Sequence, residues 1–171
     1  VVHYRGTLYR ALNPYWAYRP LSGEGAANLG GRFNRLGRPA LYLSCAIETT
    51  ILETNQAGTL MPTTLVAFDV DLDPLFDATE PDAPDRFGVT PADLALKDWA
   101  MQMELEGIAP TQAFAEDLIA AGFCGMRVPS YAPGAPADAC NVVLWTWGAE
   151  PPAQVLLIDG ENRLRHPPAP P

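Results

Sequence analysis

Leu65-Val66-Ala67-Phe68-Asp69-Val70-Asp71-Leu72 is the stretch on which the fold turns. Val66, Phe68, Val70 and Leu72 fall on one side of an extended chain, Asp69 and Asp71 on the other. A period of two is that of a half-buried strand, with one face on a core and one in water. Upstream, residues 46–56 read as a helix with Ile47 and Ile51 one turn apart, preceded by a brief strand at 40–44. Residues 13–34 are rich in Gly, Pro, Asn and aromatics and read as a long ordered loop. Before them, 7–12 alternates as a short strand with Leu8, Arg10 and Leu12 on one side. Downstream, 73–88 reads as an acidic, Pro-containing loop. Thr90-Pro91 then opens a helix, Thr at the cap and Pro at the first position, running to about Glu104. A second helix spans 111–121 and stops at Gly122. Strands are expected at 125–129, 141–147 and 154–159, with a Gly/Pro/Ala loop at 131–139. Strands and helices follow one another without regular βαβ alternation, so the class is α+β. Residues 1–165 make one domain, and His-Pro-Pro-Ala-Pro-Pro at 166–171 a tail unsuited to helix or sheet.

Composition narrows the function. The net charge is -9, which disfavours direct binding to nucleic acid or an anionic membrane, since both repel an acidic surface. Of the 11 basic residues, only Lys97 is a lysine. Arginine grips phosphate or carboxylate bidentately; the same bias also follows from a GC-rich genome. Cys45, Cys124 and Cys140 form no C-x-x-C and fit neither a zinc site nor a disulfide framework, which points to free thiols in the cytoplasm. His3 and His166 lie near the chain ends, so a His-rich zinc site or a Ser-His-Asp device is not expected. There is no Walker loop, no apolar stretch of membrane-spanning length and no secretory signal, and the chain starts at Val1.

Five segments could carry chemistry. In Gly30-Gly31-Arg32-Phe33-Asn34, two glycines permit close backbone approach to a ligand, and an Arg on such a turn can aim at a phosphate. The plainer reading is an ordinary turn with a solvated Arg. Tyr42 either stacks on a cationic ring or packs in the core. Glu53 lies on the helix that follows, as a site carboxylate or a surface one. Glu48 is ~140° away around that helix, so the two cannot act as a glycosidase pair. Ser130 has no histidine to activate it and is better read as a hydrogen-bonding group than a nucleophile. Asn141 is either a strand-end cap or a ligand contact. Trp16, Trp99, Trp145 and Trp147 read as core or interface residues.

In this order the segments resemble the RES domain family. The resemblance rests on Leu21-Ser22-Gly23-Glu24-Gly25-Ala26, Gly30-Gly31-Arg32-Phe33-Asn34, Gly37-x-Pro39-Ala40-Leu41-Tyr42-Leu43-Ser44 and a helix reaching Leu52-Glu53. Val128-Pro129-Ser130 before Asn141-Val142-Val143-Leu144, and Arg10 in Tyr9-Arg10-Ala11, complete it. It covers about 9–159, and departs at Phe33, where Trp is common in the family. The resemblance implies a mixed, mainly antiparallel sheet like that of ADP-ribosyltransferase toxins. It implies a toxin partnered by an Xre-type helix-turn-helix antitoxin, with NAD⁺ as substrate and no metal. Some branches transfer ADP-ribose to protein and others degrade NAD⁺ by phosphorolysis or hydrolysis. Here it implies transfer to a protein acceptor, such as a nucleotide-synthesis enzyme like phosphoribosyl pyrophosphate synthetase. The alternatives are NAD⁺ phosphorylase or glycohydrolase activity, a non-catalytic NAD⁺ or ADP-ribose binding module, and a protein whose sole partner is the antitoxin. In the enzyme reading Glu53 stabilises positive charge on the ribose, Arg10 and Arg32 hold the pyrophosphate or ribose, and Tyr42 packs on the nicotinamide end. Ser130 orients the substrate, with Asn141 as a further contact.

Overall fold

The alternation at 65–72 belongs to a longer strand, β3 (Thr64–Asp77), the spine of the molecule. A computed structural model describes residues 1–55 and 58–164; Gln56, the 166–171 tail and His166 lie outside the described residues. Val66, Phe68, Val70 and Leu72 are buried, as the pattern requires. β3 pairs antiparallel with β1 (Val2–Leu12) on one side and β6 (Ala153–Leu157) on the other, so Leu8, Phe68 and Leu157 stand in one row. Each such apolar side chain contributes ~1.5–3 kcal/mol through burial. The outer Asp71 sits opposite Arg5 and bonds it at 2.9 Å, with His3 at 2.5 Å.

Beyond Leu72, β3 leaves β6 and runs parallel to β4 (Gly125–Pro129) over Leu75, Phe76 and Asp77. Pro74 sits at this change of neighbour. It has no N–H to give a ladder, and its carbonyl accepts from the Cys124 N–H at 3.0 Å. Residues 73–77 are therefore strand where the sequence suggested loop. β4 pairs with β5 (Cys140–Leu144), β5 with β2 (Leu41–Ser44) and β2 with β1, giving the order β1-β2-β5-β4-β3-β6. The added β1–β3 pairing closes the first five strands on themselves. One pairing is parallel and the rest antiparallel, which with the helices makes the expected α+β fold.

Two cores lie on opposite faces of this sheet. Leu8, Leu41, Leu43, Phe68, Leu72, Val142 and Leu144 belong to one. Phe33, Phe76, Phe114, Leu118, Met126, Val128, Val143 and Trp145 belong to the other, beneath α5 (Pro110–Ala120). The remaining helices are α1 (Glu24–Leu29), α2 (Ile47–Thr54), α3 (Pro91–Ala95) and α4 (Trp99–Glu106). α1 lies where the sequence suggested loop; six residues with no buried face give no helical periodicity to read. The helix expected from Thr90 to about Glu104 is two helices. Thr90 and Asp93 form the reciprocal cap at its start, but Leu96 is extended (ψ 134°) and breaks it.

Candidate active site

Register assembles the site. Ser44 of β2 stands opposite Asn141 of β5, and alternation turns Tyr42, Ser44, Asn141 and Val143 to the same face. Ser44 Oγ donates to Asn141 Oδ1 at 2.8 Å. This turns the amide so that Nδ2 donates to Glu53 Oε1 at 2.6 Å. Ser130, just past β4, donates its hydroxyl to the same oxygen at 2.6 Å. Glu53 comes from the last turn of α2, a helix tied to its own start by Thr50 Oγ1 on the Ala46 carbonyl (3.1 Å). Glu48, on the same helix, is exposed and takes no part. Among the described residues, Asn141 of β5 and Ser130 just past β4 orient the carboxylate.

The turn at 30–34 forms the facing wall. Gly31 and Asn34 pair through both backbone bonds, at 2.9 and 3.3 Å. Gln112, fully buried on α5, donates to the Gly31 and Asn34 carbonyls. Asn34 donates to the Ala26 and Arg38 carbonyls and accepts from the Tyr42 hydroxyl at 2.7 Å, while Phe33 N–H donates to that hydroxyl at 3.0 Å. Trp145 Nε1 closes on the Phe33 carbonyl at 2.8 Å. Gly31 is required by close approach: a Cβ there would meet Asn34 Oδ1 at 2.5 Å and the Tyr42 hydroxyl at 2.6 Å.

Arg32 projects from this wall. Its Nη1 donates to the Leu94 and Leu96 carbonyls (3.0 and 2.5 Å), which the break after α3 leaves without helical partners. Its guanidinium carbon lies 4.8 Å from the centre of the Tyr131 ring, a cation–π contact. Burial pulls the guanidinium below its usual pKa, opposed by nearby Tyr131, Glu53 and Tyr42. Burial also pushes the Tyr131 phenol up to about 12 and raises that of Tyr42 further. Neither phenol is a base near neutrality.

Two cavities of about 280 Å³ each meet at Tyr42, Glu53 and Asn141. One is walled by Tyr9, Arg10, Ser44 and Thr50, the other by Arg32, Trp99, Val128 and Tyr131. Of the six residues singled out from sequence, Tyr42, Glu53 and Asn141 line both cavities, Ser130 bonds Glu53, and Arg32 lines the second cavity. Arg10 lines the first cavity, but its Nη1 is engaged by the Pro20 and Ser22 carbonyls at 2.7 and 3.1 Å. Ser130, read as a substrate contact, bonds the carboxylate itself. Ser44, Tyr131, Trp99 and Gln112 carry parts of the site that the sequence did not assign. Ser44 was legible as the register partner of Asn141 only once β2 and β5 were known to pair. Trp99 lines the second cavity. Among the described residues no group of three or more His, Cys, Asp or Glu is placed to share a metal, and no helix is long and apolar enough to cross a membrane.

The sequence profile of the RES domain matches residues 7–165. No curated protein matches the chain. Among solved structures it is similar to a chain of the M. tuberculosis MbcT–MbcA toxin–antitoxin complex. The TM-score is 0.64 at 26% identity, covering 92% of this chain and 84% of that one.

Proposed function

Since the chain belongs to the RES domain family, we propose that it is the toxin of a toxin–antitoxin pair and that it cleaves the nicotinamide–ribose bond of NAD⁺. The similar solved chain comes from a toxin–antitoxin complex, which supports the partnered-toxin part. The observation that carries the chemistry is the carboxylate of Glu53, fixed by Ser130 and Asn141 where the two cavities meet. Nicotinamide leaves as a neutral base, so no strong general acid is needed. Positive charge then grows on the ribose, and a fixed carboxylate beside it stabilises charge that exists only in the transition state.

In this reading the nicotinamide ribose sits at the junction. Tyr42, whose hydroxyl is committed to Phe33 and Asn34, offers its ring edge or face rather than its hydroxyl. Arg32 faces the pyrophosphate or the adjoining ribose from the second cavity, its plane held by Tyr131. Arg10 shapes the far end of the first cavity. No step requires a metal. ADP-ribose passes to a protein acceptor, with phosphate and water as the competing acceptors. An Xre-type helix-turn-helix antitoxin covers or fills the cleft, and the setting is cytoplasmic.

The test is to incubate antitoxin-free protein with NAD⁺, alone, with phosphate and with cell extract, and to identify products by mass. Nicotinamide together with a mass-shifted protein supports transfer. ADP-ribose phosphate or free ADP-ribose assigns phosphorolysis or hydrolysis. Intact NAD⁺ in all three arms overturns the enzyme reading.

A further inference from the structure

Two thiols lie directly behind the carboxylate cradle, on the opposite face of the sheet. Cys45 follows Ser44 at the end of β2, and Cys140 opens β5 just before Asn141. They continue the Ser44–Asn141 register by one pair, and the Cys45 N–H donates to the Cys140 carbonyl at 3.0 Å. Alternation turns Ser44 and Asn141 to the cleft and sends the two sulfurs the other way, where Cys45 packs on the core of Leu41, Leu43 and Val142. Directly opposed residues of this kind have Cα atoms about 5.5 Å apart, inside the span a disulfide bridges.

The paired cysteines also share a charged neighbour. Arg127 Nε donates to the Cys140 sulfur at 3.4 Å. Arg127 is itself steadied by Asp77 at 3.5 Å. The neighbouring Cys45 and the guanidinium hold the Cys140 thiol below its usual range despite burial, while its neighbour Cys140 and burial raise Cys45. The lowered thiol lies beside a fixed cation, the setting in which reactive thiolates form. Cys140 is 4% exposed, whereas Cys45 is partly open to solvent.

We propose that Cys45 and Cys140 form a thiol-oxidation site that closes to an intrachain disulfide on reaction with small-molecule disulfides. The accessible Cys45 thiol passes its proton to the Cys140 thiolate as its sulfur attacks one sulfur of the small disulfide. That S–S bond breaks, and the first small thiolate leaves and takes up a proton. The Cys140 thiol gives its proton to solvent, and its sulfur attacks Cys45 in the mixed disulfide, expelling the second small thiolate. Two protein thiols are oxidised and one small disulfide is reduced to two thiols. The new bond ties β2 to β5, the strands that carry Tyr42, Ser44 and Asn141. It lies behind the cleft rather than in it. The proposal is independent of what the cleft binds.

The experiment treats the folded, reduced chain with oxidised glutathione and reads intact mass and thiol-blocked peptides. The expected product has lost two hydrogens, carries no glutathione and joins the Cys45 and Cys140 peptides. Cys124, buried and donating to the Pro74 carbonyl at 3.2 Å, stays free, and dithiothreitol restores the starting mass. Its thermal midpoint rises, since closing a long loop restricts the unfolded chain. Cys45→Ser and Cys140→Ser each abolish the loss of two hydrogens. An unchanged mass, glutathione retained on both cysteines, or a bridge that includes Cys124 overturns the proposal; all three are read on the unmutated protein.

Discussion

Replacing Ser130 by Ala removes its donation to Glu53 Oε1 and leaves the Asn141 bond at 2.6 Å in place. A hydrogen bond to a charged group contributes ~1.5–3 kcal/mol. At ~1.4 kcal/mol per factor of ten, its full expression in the transition state would be ~10- to 150-fold in rate. Asn141 still orients the same oxygen, so the expectation for Ser130→Ala is the low end, ~10-fold in kcat. KM should change little, because the hydroxyl acts through the carboxylate and not on the substrate. Removing the Ser130 and Asn141 donors together, in Ser130→Ala with Asn141→Ala, should move the loss toward the ~10²–10³-fold typical of losing one electrostatic stabiliser. In a Glu53→Gln background the Ser130→Ala effect should shrink, since the donor then meets a neutral amide. The assay is steady-state nicotinamide release over a range of NAD⁺, with circular dichroism to verify folding. A raised KM with unchanged kcat would refute the reasoning and place Ser130 on the substrate, and so would an undiminished effect in the Glu53→Gln background.

Gly31→Ala drives a Cβ to 2.5 Å from Asn34 Oδ1 and should cost ~1–3 kcal/mol of stability by thermal or urea denaturation. Gly25→Ala, where nothing lies within 4 Å, should be neutral or mildly stabilising on α1 and serves as its control. Arg32→Lys cannot reproduce contact with both the Leu94 and Leu96 carbonyls and the Tyr131 ring, so KM for NAD⁺ should rise more than kcat falls. Arg38 holds Glu116 through two bonds at 2.9 and 2.6 Å, and that contact keeps the carboxyl below its ordinary pKa. A depressed folded pKa means that this stability is present above the unfolded value of ~4.3 and is lost as pH falls through the folded one. Melting curves across that range should therefore show a shallower acid decline for Glu116→Gln than for the unmutated chain.

Period two in β3 and the Gly31-to-Asn34 segment made much of the fold and one wall of the site legible in the sequence, because both are local signals. The helix break at Leu96 was not legible. Nothing in Pro91-to-Glu104 forbids a continuous helix, and the carbonyls freed by the break are taken by Arg32, over sixty residues earlier in the chain. Gln112 is the same kind of case: on an amphipathic helix it reads as solvent-facing, yet it is fully buried because the turn it clamps needs a donor there. The extension of β3 past Pro74 was hidden because proline ordinarily ends a central strand, and here it marks a change of partner instead. Ser130 and Asn141 were identifiable as polar residues at strand ends. Their shared oxygen on Glu53 depended on the pairing of β4, β5 and β2, which no local pattern encodes.

Turnover of NAD⁺ by Glu53→Gln set beside Glu48→Gln, in antitoxin-free protein shown to be folded, tests the central claim most directly. Gln keeps the shape of the side chain and removes its charge. The account predicts nicotinamide release at the unmutated rate from Glu48→Gln and a ~10²–10³-fold loss from Glu53→Gln. Full turnover by Glu53→Gln, or a collapse confined to Glu48→Gln, would contradict it.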